Sequence, residues 1–122
     1  MKFYYCETCK SIFTFVNQPT EHIHCCGNPI KELIPNSTVA SIEKHVPVVE
    51  RVGNHITVRV GKEAHPMLPE HWIEWVVIET TKGYQLRNLK PGDAPMAEFE
   101  LSNHEEILTT YAYCNIHKLW KN

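Results

Sequence analysis

The sequence lacks any apolar run near the roughly 18 residues that a membrane-spanning helix needs, so we expect no membrane partner. It also lacks an excess of positive charge, because the formal net charge is −2 with histidine neutral. A nucleic-acid partner is therefore not expected, since such proteins carry a basic stripe. The opening residues MKFYY lead straight into cysteines and do not resemble a secretory signal. A cytoplasmic protein is expected.

Disulfide bonds explain the cysteines poorly. There are five of them, an odd number, and disulfide frameworks belong to secreted proteins rather than to chains without a signal. Metal ligation is the better interpretation of these thiols, and their positions in the chain support it.

Long stretches of helical periodicity are also absent, and the chain divides into two segments by composition. Residues 1–36 hold four cysteines but few large apolar side chains, and so short a segment needs a metal or a disulfide in order to fold. Residues 37–122 contain β-branched runs separated by turns, which predicts an all-β domain of the immunoglobulin-like sandwich type. The predicted strands are residues 46–51, 55–60, 72–80, 84–89, 97–101 and 108–114.

The first segment carries a C-x-x-C turn and, fifteen residues later, an adjacent pair: Cys6, Cys9, Cys25 and Cys26. Four thiolates in a tetrahedron suit either zinc or iron, so spacing alone leaves both ions open. A disulfide between Cys25 and Cys26 is a poorer alternative because it closes a strained ring. Nearby His22 and His24 are interpreted as surface residues. Adjacent ligands require an unusual backbone, which Gly27 can supply.

Three short motifs in the second segment supply five further candidate ligands. The motifs are EKHVP, HPMLPEHW and CNIHKLW, and the ligands are His45, His65, His71, Cys114 and His117. Cys114 and His117 are three residues apart, which is the spacing of a chelating loop. The prolines of the second motif stiffen the loop that carries two of the histidines. From spacing alone, scattered core and surface histidines remain the alternative.

In this order, the motifs resemble the desulfoferrodoxin family, the two-iron class of superoxide reductase, over nearly the whole chain. The cysteine pattern is similar to the desulforedoxin domain, and the histidine motifs are similar to the catalytic domain. The resemblance implies a small rubredoxin-like or desulforedoxin-like iron domain over residues 1–36 and a catalytic β-sandwich over residues 37–122. It also implies two mononuclear iron sites per chain and a homodimer.

The resemblance further implies the one-electron reduction of superoxide to hydrogen peroxide, with rubredoxin or a similar small carrier returning the electron. The four cysteines of the first segment would hold one iron tetrahedrally. The catalytic iron would be square-pyramidal, with the four histidines in its plane and Cys114 axial, which leaves one position open.

Glu43 and Lys44 directly precede the ligand His45. By resemblance, Lys44 attracts superoxide and helps to position a proton-donating water, and Glu43 is the carboxylate that binds the oxidised iron. A solvated surface pair is the alternative for both. Lys118 departs from the family, which usually has glycine after the histidine of the C-N-x-H motif. A positive φ at this position would cost a lysine about 1–2 kcal/mol.

Three other functions are compatible with parts of the sequence. In the main alternative the protein is a non-catalytic electron carrier, in which the four-cysteine iron works and the β-domain is a scaffold. A mononuclear-iron oxygenase fits less well, because such sites typically use two histidines and one carboxylate. A zinc-binding interaction module is the weakest alternative.

Overall fold

The computed structural model describes residues 1–122, and the chain separates into two compact units, Met1–Ile34 and Pro35–Asn122. The boundary predicted after residue 36 lies two residues from this division. None of the chain's helices has the length and the apolar character needed to cross a membrane.

The smaller unit is made of strands that are two residues long. β1 (Tyr4–Tyr5) lies between β2 (Ile12–Phe13) and β5 (Lys31–Glu32), and β3 (His24–Cys25) pairs with β4 (Asn28–Pro29). All of these pairs are antiparallel. The buried apolar side chains of the unit are few: Phe3, Cys6 and Leu33. So small a core stabilises a fold weakly, and units of this size usually need a metal or a disulfide in addition.

The larger unit is a sandwich of two antiparallel sheets. Its elements are α1 (Ile42–His45), β6 (Pro47–Val52), β7 (His55–Val60), β8 (Ile73–Thr80), β9 (Gly83–Asn88), β10 (Met96–Glu100), β11 (Ile107–Cys114) and β12 (Lys118–Lys121). One sheet has the strand order β10-β7-β6, and the other has the order β12-β11-β8-β9. Three strands facing four is the immunoglobulin-like arrangement, so the predicted all-β fold class is confirmed.

The core of the larger unit lies between the two sheets. In β7 every second residue is buried, namely Ile56, Val58 and Val60, as the two-residue period of a strand requires. These side chains belong to one cluster with Ile73 and Val76 of β8. The strands β8 and β11, which lead to the candidate site, are therefore anchored by buried apolar contacts.

Two elements of this unit were not predicted from the sequence. The helix α1 is only four residues long, too short for any periodicity. The strand β12 follows directly on the turn of the CNIHKLW motif, whose spacing indicated a chelating loop rather than a strand. The predicted boundaries of the other strands differ from the observed ones by no more than one residue, and those of β7 coincide with them.

Candidate metal centres

The first candidate metal centre consists of the four cysteines of the smaller unit. The Sγ atoms of Cys6, Cys9, Cys25 and Cys26 all lie within 4.8 Å of one another. Cys25 Sγ lies 3.6 Å from Cys9 Sγ and 4.0 Å from Cys26 Sγ. Two sulfurs bound at about 2.3 Å to one tetrahedral ion are about 3.8 Å apart. All five cysteines of the chain are free, so the thiols are spaced for an ion and form no disulfide.

Left-handed backbone conformations bring these thiols together. The residue after the C-x-x-C turn, Lys10, has φ 66°, and its amide donates to the Cys6 carbonyl at 2.9 Å. Cys26 has φ 54° and Gly27 has φ 79°. The unusual backbone expected at Gly27 therefore begins one residue earlier, at the second cysteine of the adjacent pair, and allows both side chains of the pair to reach one point.

The acidities of these thiols are strongly unequal. The Ser11 hydroxyl donates to Cys9 Sγ at 3.1 Å, and hydrogen bonds from Ser11 lower the pKa of the Cys9 thiol to about 6. Hydrogen bonds that Cys25 donates to Cys9 and Cys6 raise the pKa of the Cys25 thiol to about 12. These hydrogen bonds, which need the proton of Cys25, thus oppose the ionisation of a second thiol beside the Cys9 thiolate. A bound cation removes this opposition, which is the behaviour of a metal-binding thiol cluster.

The second candidate metal centre lies in the larger unit. Its predicted ligands come from the ends of α1 and β11, the loop before β8 and the turn before β12: His45, Cys114, His65, His71 and His117. Ligand atoms of the first four lie within 4.8 Å of one another. His117 Nδ1 lies 3.1 Å from His45 Nε2 and 3.9 Å from Cys114 Sγ. The structure therefore brings all five predicted side chains together.

The hydrogen bonds of two histidines fix their tautomers. His45 Nδ1 contacts the Ser41 carbonyl oxygen at 2.6 Å, and His65 Nδ1 contacts the Pro66 carbonyl oxygen at 2.6 Å. A carbonyl only accepts, so both Nδ1 atoms carry protons. In the neutral rings the lone pairs are then on the Nε2 atoms, which face each other at 3.2 Å.

Facing lone pairs repel unless a cation lies between them. Two nitrogens bound at about 2.0–2.1 Å to one ion and at a right angle to each other are about 2.9 Å apart, close to the observed 3.1 and 3.2 Å. His71 Nε2 is likewise buried without a hydrogen-bond partner. The donor set therefore fits a metal ion better than it fits a network of hydrogen bonds.

Burial favours the neutral form of three of the imidazoles: His45, His65 and His71. Desolvation lowers the pKa of His45 and of His71, and it lowers the pKa of His65 to about 4. The positive charges of neighbouring imidazoles act in the same direction. Neutral imidazole is the form that binds a metal, so these residues are ready to act as ligands at neutral pH without first losing a proton.

Cys114 is the fully buried donor at the end of β11. Burial raises the pKa of its thiol, and the backbone amides of His117 and Ile116 oppose this effect. The His117 amide donates to Cys114 Sγ at 3.4 Å. The pairing of β11 with β8 shifts register between Tyr113 and Cys114, and irregularities of this kind redirect side chains at functional sites.

Trp120 and Asn115 support this centre and were not singled out in the sequence. The Trp120 ring stacks on His45 with centroids 4.8 Å apart, and its indole N–H donates to the His117 carbonyl at 3.0 Å. The Asn115 side chain bonds the backbone on both sides of His71. Both residues lie within the CNIHKLW motif. Their positions between and just after the two ligands of that motif could have marked them as candidates for holding the ligands in place.

Glu43 and Lys44 are exposed residues of α1. Hydrogen bonds from the Glu43 amide and from the Ser41 hydroxyl, which donates to Glu43 Oε2 at 3.1 Å, lower the pKa of the Glu43 carboxyl. The structure therefore places this carboxylate on Ser41 rather than among the imidazoles. Burial is the main cause of the lowered pKa of His45 and of His71, and the positive charge of Lys44 adds to it in the same direction.

Two other sequence expectations concern single positions. The exposed residues His22 and His24 are not members of the cysteine group. Lys118, which replaces the family's usual glycine, has φ 65°. The backbone after His117 is thus left-handed, and the lysine bears the associated strain.

The chain is similar in sequence and fold to known proteins. The family model described as desulfoferrodoxin matches residues 37–122. A desulfoferrodoxin homolog of Archaeoglobus fulgidus is 41% identical over 122 residues, covering 100% of this chain and 96% of that protein. The crystal structure of the superoxide reductase from Treponema pallidum has a TM-score of 0.83 at 33% identity, covering 99% of this chain and 97% of that one. A superoxide reductase of Giardia intestinalis has a TM-score of 0.55 at 31% identity, covering 66% and 95%.

The fold and the two sets of candidate ligands place the chain in a class of small β-proteins. This class is defined by a site of four thiols and a site of four imidazoles and one thiol. The chain belongs to the desulfoferrodoxin family.

Proposed function

We propose that this protein is a superoxide reductase, in which superoxide takes up one electron and two protons to give hydrogen peroxide. The observation that carries the proposal is the convergence of four imidazoles and one thiol in a chain similar to a solved superoxide reductase. His45, His65, His71, His117 and Cys114 hold a mononuclear iron, which when bound supplies the electron. An external donor then restores the ferrous state.

The charges of the ligand set favour an anionic substrate. Neutral imidazoles add no charge, and Cys114 is the one thiol of the set, so its thiolate leaves a divalent ion with one positive charge. Since the whole chain has a formal net charge of −2, attraction of superoxide has to be local. The ligand set provides such a local charge.

Lys44 adds a second positive charge beside the first. It is exposed on α1, next to the ligand His45, and its charge is felt by both His45 and His71. We assign to it the capture of superoxide and the positioning of a water that donates a proton. We assign to Glu43 the role of a carboxylate that would be available to the oxidised iron once it gives up its hydrogen bond from the Ser41 hydroxyl.

The four-cysteine site holds the second iron, and this iron stabilises the small unit. The electron donor is rubredoxin or another small one-electron carrier, and the protein is a homodimer, which compensates for the small core of the first unit. The five free thiols favour a reducing compartment, the cytoplasm. Sedimentation equilibrium tests the dimer independently of activity.

Metal analysis is the first test of the proposed function. We expect two irons per chain and two separate sets of sulfur-to-iron absorption bands after oxidation. Zinc in the histidine centre of the natively expressed protein, with iron only in the four-cysteine centre, would contradict the enzyme and would favour the electron carrier.

Pulse radiolysis tests the role of Lys44. Lys44→Ala should lower the second-order rate with superoxide about 10-fold at low salt and weaken its salt dependence, as loss of local steering predicts. The control is Lys82→Ala, which removes the same charge in the turn after β8. Because β8 has eight residues and spans about 25 Å, that turn is far from His71. Equal rates in the two variants would refute the steering role.

A further inference from the structure

The four imidazoles of the proposed catalytic centre are held in different ways. The rings of His45 and His65 are each fixed by a hydrogen bond to a carbonyl. The backbone carbonyl of His117 accepts a hydrogen bond from the Trp120 indole. The ring of His71 has no such contact, and its Nε2 is buried without a partner. The position of His71 therefore depends on the backbone that carries it.

Asn115 fixes this backbone from one side. Its side-chain carbonyl accepts a hydrogen bond from the Trp72 amide at 3.0 Å, and its side-chain amide donates to the Glu70 carbonyl at 3.0 Å. Its own backbone amide donates to the Trp72 carbonyl at 3.2 Å. The residues immediately before and after His71 are thus both bonded to Asn115.

Leu68 fixes the backbone of His71 from the other side. The Leu68 amide donates to the His71 carbonyl at 2.9 Å, and the His71 amide donates to the Leu68 carbonyl at 3.0 Å. These two hydrogen bonds lie within the loop that carries His71, and they do not join it to the turn that carries Cys114 and His117. Asn115 makes that connection, because it lies between Cys114 and His117.

We propose that Asn115 is a positioning residue of the metal centre, which joins the turn carrying Cys114 and His117 to the loop carrying His71. Asparagine suits this role because one side chain offers an acceptor and donors together. Aspartate keeps the acceptor for the Trp72 amide but places a carboxylate against a carbonyl, and alanine removes both side-chain bonds. The inference depends on the proposed iron centre, and the experiment separates the two.

The experiment uses the full chain with iron in both centres. The reduced protein is incubated with an excess of a ferrous chelator, and samples taken at intervals are oxidised so that their visible spectra report each centre separately. We expect Asn115→Ala to speed loss of the histidine-centre band by about 10–100-fold, the size typical for loss of a residue that orients a metal ligand. The four-cysteine band serves as the internal reference and should decay at the wild-type rate.

Asn36 offers a matched control. It makes the same two kinds of side-chain bond to the backbone, accepting from the Lys121 amide at 2.8 Å and donating to the Lys121 carbonyl at 3.2 Å. Asn36 has φ 59°, a left-handed conformation that glycine adopts without strain. Lys121 is not a proposed ligand, so Asn36→Gly, which removes both side-chain bonds, should release iron at close to the wild-type rate. Equal release from the Asn115→Ala and Asn36→Gly variants would overturn the inference.

A double-mutant cycle shows whether Asn115 acts through His71. If it does, adding Asn115→Ala to His71→Ala should not speed iron release further, whereas fully additive effects would overturn the inference. Should Asn115→Ala not fold, Asn115→Asp carries the same expectation at a smaller size. A wild-type chain that holds no iron among its histidines would refute the proposed function itself, an outcome distinct from equal release in the variants.

Discussion

Replacing Lys118 by glycine should make the larger unit more stable. Lys118 has φ 65° at the start of β12, directly after His117, and a left-handed conformation costs an L-residue about 1–2 kcal/mol. Glycine removes this cost, but it also makes the unfolded chain more flexible, which costs about 0.4–1 kcal/mol. We expect a net increase of about 0.5–1 kcal/mol in the free energy of unfolding.

Guanidinium unfolding of the iron-loaded chain, followed by tryptophan fluorescence, measures this difference. The signal reports the larger unit alone, because all three tryptophans lie within Pro35–Asn122. Lys118→Ala removes most of the side chain but keeps Cβ, and therefore keeps the strain. The difference between the glycine and alanine variants isolates the contribution of the backbone.

Lys121→Gly in the same strand is the control. Lys121 is exposed and does not have a positive φ, so glycine there should lower the free energy of unfolding by about 0.5–1 kcal/mol. The two glycine variants should thus shift the unfolding midpoint in opposite directions. A shift of both midpoints in the same direction would refute the reasoning from backbone strain.

Three further changes have defined outcomes. Cys114→Ser should abolish the sulfur-to-iron band of the histidine centre and leave that of the four-cysteine centre, and survival of both bands would assign the first to another thiol. Trp120→Phe keeps an aromatic ring but removes the N–H that bonds the His117 carbonyl, so the free energy of unfolding should fall by about 1–3 kcal/mol in the same denaturation assay; no change would contradict the importance of this bond. The hydrogen bond between His55 and Glu100 raises the pKa of His55 above its ordinary value of 6.5. Stability from this pair should therefore be complete below pH 6.5 and should be lost as the pH rises through the higher pKa of the folded state. Glu100→Gln should lower the His55 pKa in an NMR titration, and an unchanged value would exclude the pairing.

The strands of the sandwich could be predicted because their signals are local. In β7 the alternation of buried and outward residues and the turn before His55 mark both ends of the strand. By contrast, α1 and β12 are four residues long, and neither gives a repeating pattern. Their positions depend on the turns that place His45 and His117, and such tertiary constraints leave no periodic trace in a sequence.

The candidate ligands could be predicted from three short motifs and their resemblance to a known family, but the groups that hold the ligands in place could not. The carbonyls that bond His45 and His65 belong to Ser41 and Pro66, and every residue type carries a carbonyl. Asn115 differs from these carbonyls because it uses its side chain, which hydrogen-bonds to residues more than forty positions away in the sequence. The sequence shows such a residue beside a ligand but does not show which distant loop it holds.

The scarcity of buried side chains in the first 34 residues has a consequence for the protein in a cell short of iron. The sandwich has a continuous apolar interior that needs no ion, whereas the short front unit, if it holds the proposed iron, would draw most of its folding free energy from ion binding. Newly made chains would then carry an unstructured leading segment, which is the kind of segment that proteases attack first. Iron supply would in this way set the lifetime of the front unit separately from that of the rest.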